Sequence, residues 1–153
     1  MSVLILHNIR SVHNVGSIFR TADAAGVSKI ILSGYTPTPL DRFGRERKDF
    51  VKVSLGAEKS VQWQQVKRLL PALAQLKKEG YTLVALEQHK NSVSLFDYKL
   101  ANNIALIVGN EVRGISPALL KKVDTIVEIP MRGKKESLNV SIATGIALFA
   151  LLK

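Results

Sequence analysis

Short apolar runs alternate along this chain with longer stretches of helical periodicity, and that alternation restricts the fold to the α/β class, a mostly parallel sheet flanked by helices. Residues 3–6 (VLIL) and 28–33 (SKIILS) read as strands. Between them Val15, Ile18, Phe19 and Ala22 recur at helical spacing, from an expected N-cap at Asn14 to a stop at Gly26. Residues 34–49 (GYTPTPLDRFGRERKD) combine prolines, glycines and dense charge, which predicts a long loop. A helix is expected over 66–79, with Pro71 marking a kink or a late start and Gly80 closing it. Residues 81–86 and 104–108 read as buried strands, 117–123 as a short helix opened by proline, and 125–129 as the last strand.

From 139 to 152 the later turns are apolar on nearly every side, so a helix there must be covered all round. A second subunit is a natural cover, which predicts a homodimer with this helix in its interface; a fully internal core helix is the alternative.

A length of 153 residues, 46% of them hydrophobic, suits one domain over 1–153 with no separate recognition extension. The net charge of +10, from 22 Lys and Arg against 12 Asp and Glu, attracts polyanions and makes nucleic acid the leading partner. The apolar stretches are short and interrupted, which argues against a membrane partner and for a cytoplasmic protein. With no cysteine, disulfides, thiolate nucleophiles and Cys-ligated zinc are excluded, and His7, His13 and His89 lack ligand spacing, so no metal is expected.

Ligands of open α/β sheets gather at the carboxyl ends of strands, and three polar clusters lie there. In NIRSVHNVGSIFR, Asn14, Gly16 and Arg20 surround a helix start whose N–H groups suit an anion such as phosphate; an N-cap, a packing glycine and a solvated arginine fit equally. In GNEVRGIS the glycine spacing resembles a phosphate-binding P-loop, but Ile115 and Ser116 stand where Lys and Ser or Thr are needed. Glu111 there is either functional or a solvated loop acid. In IPMRGKKESLNVS, capping accounts for one of Ser137, Asn139 and Ser141, and the excess favours a binding loop. There is no dinucleotide fingerprint and no nucleophile elbow.

Taken in order, the three clusters resemble the three motifs of the SpoU-like (TrmH-type) 2′-O-methyltransferases of the SPOUT superfamily, over essentially the whole chain. Asn14, Gly16, Arg20 and Gly26 match the first; Gly109, Glu111, Gly114 and Ser116 the second; Ile129, Pro130, Met131, Gly133, Ser137, Leu138, Asn139 and Ser141 the third. The resemblance implies a deep C-terminal trefoil knot, a homodimer, and S-adenosylmethionine as cofactor. It also implies methyl transfer to a ribose 2′-hydroxyl of tRNA or rRNA. Leu86, Glu87, Gly109, Asn110, Ile129, Met131, Ser137 and Leu138 are then expected to line the cofactor pocket. The same resemblance sets Arg20 beside the ribose. A guanidinium with a pKa above about 12 is a poor base, so its expected role is to clamp the adjacent phosphate and stabilise the developing alkoxide. Asn14, Glu111, Ser137 and Asn139 are expected to orient substrate and loops. Phosphate contacts are expected first from Arg42, Arg45, Arg47 and Lys48, then from Arg10, Arg113, Arg132, Lys134 and Lys135. Trp63, Tyr35 and Phe43 either stack on bases or serve core packing or loop anchoring. The rival readings are a base methyltransferase of the same superfamily and a non-catalytic RNA-binding protein on the same scaffold.

Overall fold

The structure, a computed structural model, describes residues 1–99 and 102–152. Its strands are β1 (Ser2–His7), β2 (Lys29–Ser33), β3 (Gln62–Val66), β4 (Thr82–Leu86), β5 (Val93–Ser94), β6 (Ile104–Val108) and β7 (Thr125–Glu128). The helices are α1 (Val12–Ala24), α2 (Lys48–Ser54), α3 (Ala57–Ser60), α4 (Leu69–Lys78), α5 (Pro117–Leu120) and α6 (Val140–Leu151). The strands form one seven-stranded sheet in the order β3-β2-β1-β6-β4-β7-β5, each neighbouring pair parallel.

Both faces are covered. Leu4, Leu6, Ile30, Leu32, Leu106 and Val108 pack on one face with Val15, Ile18, Phe19 and Ala22 of α1 and Ala147, Leu148 and Leu151 of α6. Ile5, Ile31, Ala85 and Ile107 face Leu69, Leu73 and Leu76 of α4 and Leu119 and Leu120 of α5 on the other. This double burial is why β1 and β6 are unbroken apolar runs. The α1 stripe is the one its periodicity predicts, and its Phe19 meets Phe50 of α2 edge to face at 5.1 Å.

Several boundaries differ from the sequence reading. The N-cap of α1 is Ser11, whose Oγ accepts from Asn14 N at 3.1 Å, so Asn14 lies inside the first turn and is buried. Gly26 does end α1: it takes φ +74° and Val27 N donates back to Ala22 O at 2.9 Å. Val66 closes a strand rather than opening a helix, because Gln62–Val66 extends the sheet beside β2. Pro71 sits in the first turn of α4, where its missing N–H has no helical partner to lose. The long loop ends at Arg47, the N-cap of α2.

Candidate active site and substrate cleft

β1 has β2 on one side and β6 on the other, and the chain leaves β1 toward β2 but β6 toward β7, so its direction across the sheet reverses between them. A cleft of about 330 Å³ lies at the ends of β4, β6 and β7. All eight residues expected to hold a cofactor line it: Leu86, Glu87, Gly109, Asn110, Ile129, Met131, Ser137 and Leu138. Glu111 joins them, and so do Gln88, Glu128 and Glu136, which the sequence reading does not single out. Gln88 follows β4 directly and its Nε2 donates to Glu136 O at 2.6 Å, tying the β4 exit to the loop before α6.

Two glycines shape the floor. A Cβ on Gly109 would lie 2.6 Å from Ile115 Cγ1 and 2.7 Å from the Gly114 backbone. One on Gly114, at φ +64°, would lie 2.1 Å from Glu87 Oε2. The space this leaves lets Glu87 accept from Ile115 N at 2.8 Å. Asn110 is buried and its side chain is spent on the turn: Oδ1 accepts from Val112 N and Arg113 N, while Nδ2 donates to Asn8 O and Tyr35 Oη.

The three motif loops meet through one network. Glu111 accepts from Arg10 N through both oxygens, from Ser11 N at 3.1 Å and from Asn14 Nδ2 at 3.2 Å. Asn139 Nδ2 donates to Asn14 Oδ1 at 3.2 Å, and Asn139 caps α6 by accepting from Ser141 N. The expected anion site at the start of α1 is therefore filled by the chain's own carboxylate, which the helix dipole favours. Burial pushes the Glu111 carboxyl up; the N–H groups of Arg10, Ser11 and Glu111 itself, with the Asn14 amide, outweigh it and hold the group below its usual range. Beside this network burial pushes the His7 imidazole down. Its Nε2 accepts from Asn8 Nδ2, so Nδ1 carries the proton and donates to Ser33 Oγ at 2.9 Å.

Arg20 stands apart from this network. It is exposed in a second cleft, of about 650 Å³ between α1 and α2, with His13, Asp49, Lys52 and the apolar Val12, Val53 and Leu55. His13 and Arg20 are two helical turns apart and share one face of α1. The walls approach closely there: a Cβ on Gly16 would lie 3.1 Å from Val53 Cβ. Within one chain, then, Asn14, Glu111 and Asn139 come together, Ser137 lines the first cleft, and Arg20 lines the second.

The candidate phosphate contacts Arg10, Arg42, Arg45, Lys48, Arg113, Arg132, Lys134 and Lys135 are exposed, and Arg47 is partly buried. Arg45 pairs with Asp41 and Arg47 with Asp49, each at 3.0 Å. Exposed pairs of this kind are worth about 0–1 kcal/mol, so either arginine can exchange its carboxylate for a phosphate. Among the described residues no group of three His, Cys, Asp or Glu could hold a metal ion, and no helix is long and apolar enough to cross a membrane.

The sequence matches the SpoU rRNA Methylase family over residues 1–149, and the chain belongs to that family. It is 34% identical over 151 residues to the 23S rRNA (guanosine-2′-O-)-methyltransferase RlmB of Xanthomonas axonopodis pv. citri, covering 99% of this chain and 58% of that protein. The chain thus spans a little over half the length of the curated relatives it matches. Among solved structures, the AdoMet-bound rRNA methyltransferase from Sinorhizobium meliloti superposes with a TM-score of 0.85 at 29% identity, over 97% of this chain and 54% of that one. The A. aeolicus TrmH/SpoU tRNA modifying enzyme gives 0.84 at 30% identity, over 97% and 72%.

Proposed function

We propose that the chain transfers a methyl group from S-adenosylmethionine to a ribose 2′-hydroxyl of RNA, with ribosomal RNA as the first substrate class. The observation that carries this reading is the cleft at the ends of β4, β6 and β7, lined by two glycines where a Cβ would collide with Ile115, the Gly114 backbone or Glu87. Its size falls within the range of about 300–1,000 Å³ usual for small-molecule sites. Glu87, Glu111, Glu128 and Glu136 stand around it in a chain of net charge +10, a local reversal of sign that suits a sulfonium and an ammonium group. When bound, S-adenosylmethionine supplies an electrophilic methyl group. Leu86, Ile129, Met131 and Leu138 would offer apolar walls, and Glu87 and Ser137, with the backbone of Gly109 and Asn110, the polar contacts. Glu111, Asn14 and Asn139 hold the three loops together.

The working unit of this reading is a homodimer. Ile142, Ile146 and Phe149 recur at helical spacing on α6, with Ile142 and Phe149 55% and 58% exposed, opposite the buried Thr144, Ala147, Leu148 and Leu151. Gly145 of α6 packs on Thr21 of α1, so the two helices touch, while Arg20 opens onto the cleft between α1 and α2. In a dimer Arg20 acts across the interface, gripping the phosphate next to the target ribose and stabilising the developing alkoxide. The trefoil knot belongs to the same reading. The chain leaving β4 reaches β5, outside β7, before returning to β6, whereas the chain leaving β7 comes back to α1 through α6, an arrangement that favours threading. The unit is a single domain over 1–153, and its place is the cytoplasm.

Transfer of labelled methyl to ribosomal RNA and to tRNA, followed by alkaline hydrolysis, tests the proposal, because a 2′-O-methyl group blocks cleavage at its own phosphodiester. Label in a base instead supports the base methyltransferase. Absence of both transfer and calorimetric S-adenosylmethionine binding supports the RNA-binding scaffold. Likeness to the A. aeolicus tRNA modifying enzyme favours tRNA as the second substrate class.

A further inference from the structure

The turn before α2 is built to present an aromatic ring. Leu40 and Glu46 bridge antiparallel, Asp41 N donates to Arg45 O at 2.8 Å and Gly44 N to Asp41 O at 3.0 Å. The Asp41 carboxylate fills the turn: Oδ1 accepts from Phe43 N at 2.8 Å and Arg45 N at 3.0 Å, and Oδ2 accepts from Arg45 Nε at 3.0 Å. Gly44 takes φ +76°, which only a residue without Cβ adopts without strain. So held, Phe43 is 66% exposed, with the guanidinium carbons of Arg42 and Arg45 at 4.8 and 4.9 Å from its ring centroid. Arg45 is paired with Asp41, whereas Arg42 has no carboxylate partner among the described residues, so the tip carries net positive charge.

A layered set of ring and planar cations offers a π surface for a nucleobase face and a guanidinium for the phosphate beside it. A base inside a duplex has no exposed face, so the fitting partner is unpaired. The turn leads directly into α2, whose Asp49 and Lys52 line the Arg20 cleft, and Arg47 N ties it down through Pro39 O at 2.9 Å. We propose that Phe43, Arg42 and Arg45 form a stacking platform for an unpaired base of the substrate RNA that flanks the nucleotide to be methylated, with Asp41 fixing the platform's posture. This rests on RNA being the substrate.

The test measures methyl transfer, and binding of a single-stranded oligonucleotide carrying the mapped site, for native protein and for Phe43→Ala, Phe43→Leu and Phe43→Trp, each checked for an unchanged melting temperature. Loss of stacking raises KM and Kd about tenfold in the Ala and Leu variants with kcat unchanged, and Trp restores both. Abasic substitution beside the target costs the native protein a similar factor and the Ala variant nothing further. Equal KM across the series, or Leu matching Trp, overturns the proposal while leaving methyl transfer intact. If the native chain transfers no methyl group, binding of an unstructured oligouridylate decides: a tenfold loss in Phe43→Ala upholds the platform, and equal or absent binding in both overturns it.

Discussion

Position 109 accepts only glycine for a steric reason, since its φ is ordinary and the obstacle is backbone: a Cβ would stand 2.7 Å from Gly114. Gly109→Ala should cost about 1–3 kcal/mol in urea unfolding and weaken S-adenosylmethionine binding in calorimetry, whereas Gly133→Ala, which meets nothing within 4 Å, should leave stability unchanged. Glu111 sets an acid limit on stability. Its folded pKa is lowered from 4.5, so the stability it contributes is complete above pH 4.5 and is lost as pH falls through the folded value. Glu111→Gln should flatten that limb in a series of melting temperatures and cost about 1 kcal/mol at neutral pH. His7, lowered from 6.5, contributes stability that is present above pH 6.5 and fades below it, because burial disfavours the charged imidazolium. Gly109, Glu111 and Asn139 are legible in the sequence as members of motifs. What Glu111 does is not, because its partners Arg10 and Ser11 lie about a hundred residues away and only folding brings them together.

The two sides of α6 make separable predictions. Phe149→Asp, on the exposed stripe, should turn a sedimenting dimer into a monomer with little change in the monomer's own melting. Leu148→Ala, on the buried side, should cost about 2–5 kcal/mol and leave the subunit count alone. A native chain that sediments as a monomer at micromolar concentration would count against the dimer. Legibility follows burial at this scale. β1 and β6 are covered on both faces and read as unbroken apolar runs, and α1 shows a clean stripe. β3 is an edge strand with Gln62, Gln64 and Gln65, so no apolar pattern marks it, and β5 has only two residues. The short α2 and α3 hide behind a loop whose charge dominates the local composition.

Across the whole molecule Lys and Arg outnumber acids 22 to 12, and four of those acids line the first cleft, which no Lys or Arg among the described residues lines. RNA affinity should therefore fall steeply with salt, by about 0.7 in log K per unit of log salt for each phosphate held on a single strand. Lys48→Glu or Arg132→Glu should lower that slope by about one contact, and a flat dependence would remove the basic surface from binding. The sequence shows the sign of the total but not its partition, because Glu87, Glu111, Glu128 and Glu136 are scattered along the chain and gather only where β4, β6 and β7 end together. The placement of β1 has a consequence for biosynthesis. Its partner β6 lies about a hundred residues further on, so during translation one whole edge of an apolar central strand stays unpaired until most of the polypeptide has emerged. Ribosome-stalled fragments ending before residue 104 should thus recruit chaperones or aggregate, and longer ones in which β6 can reach its slot should resist proteolysis.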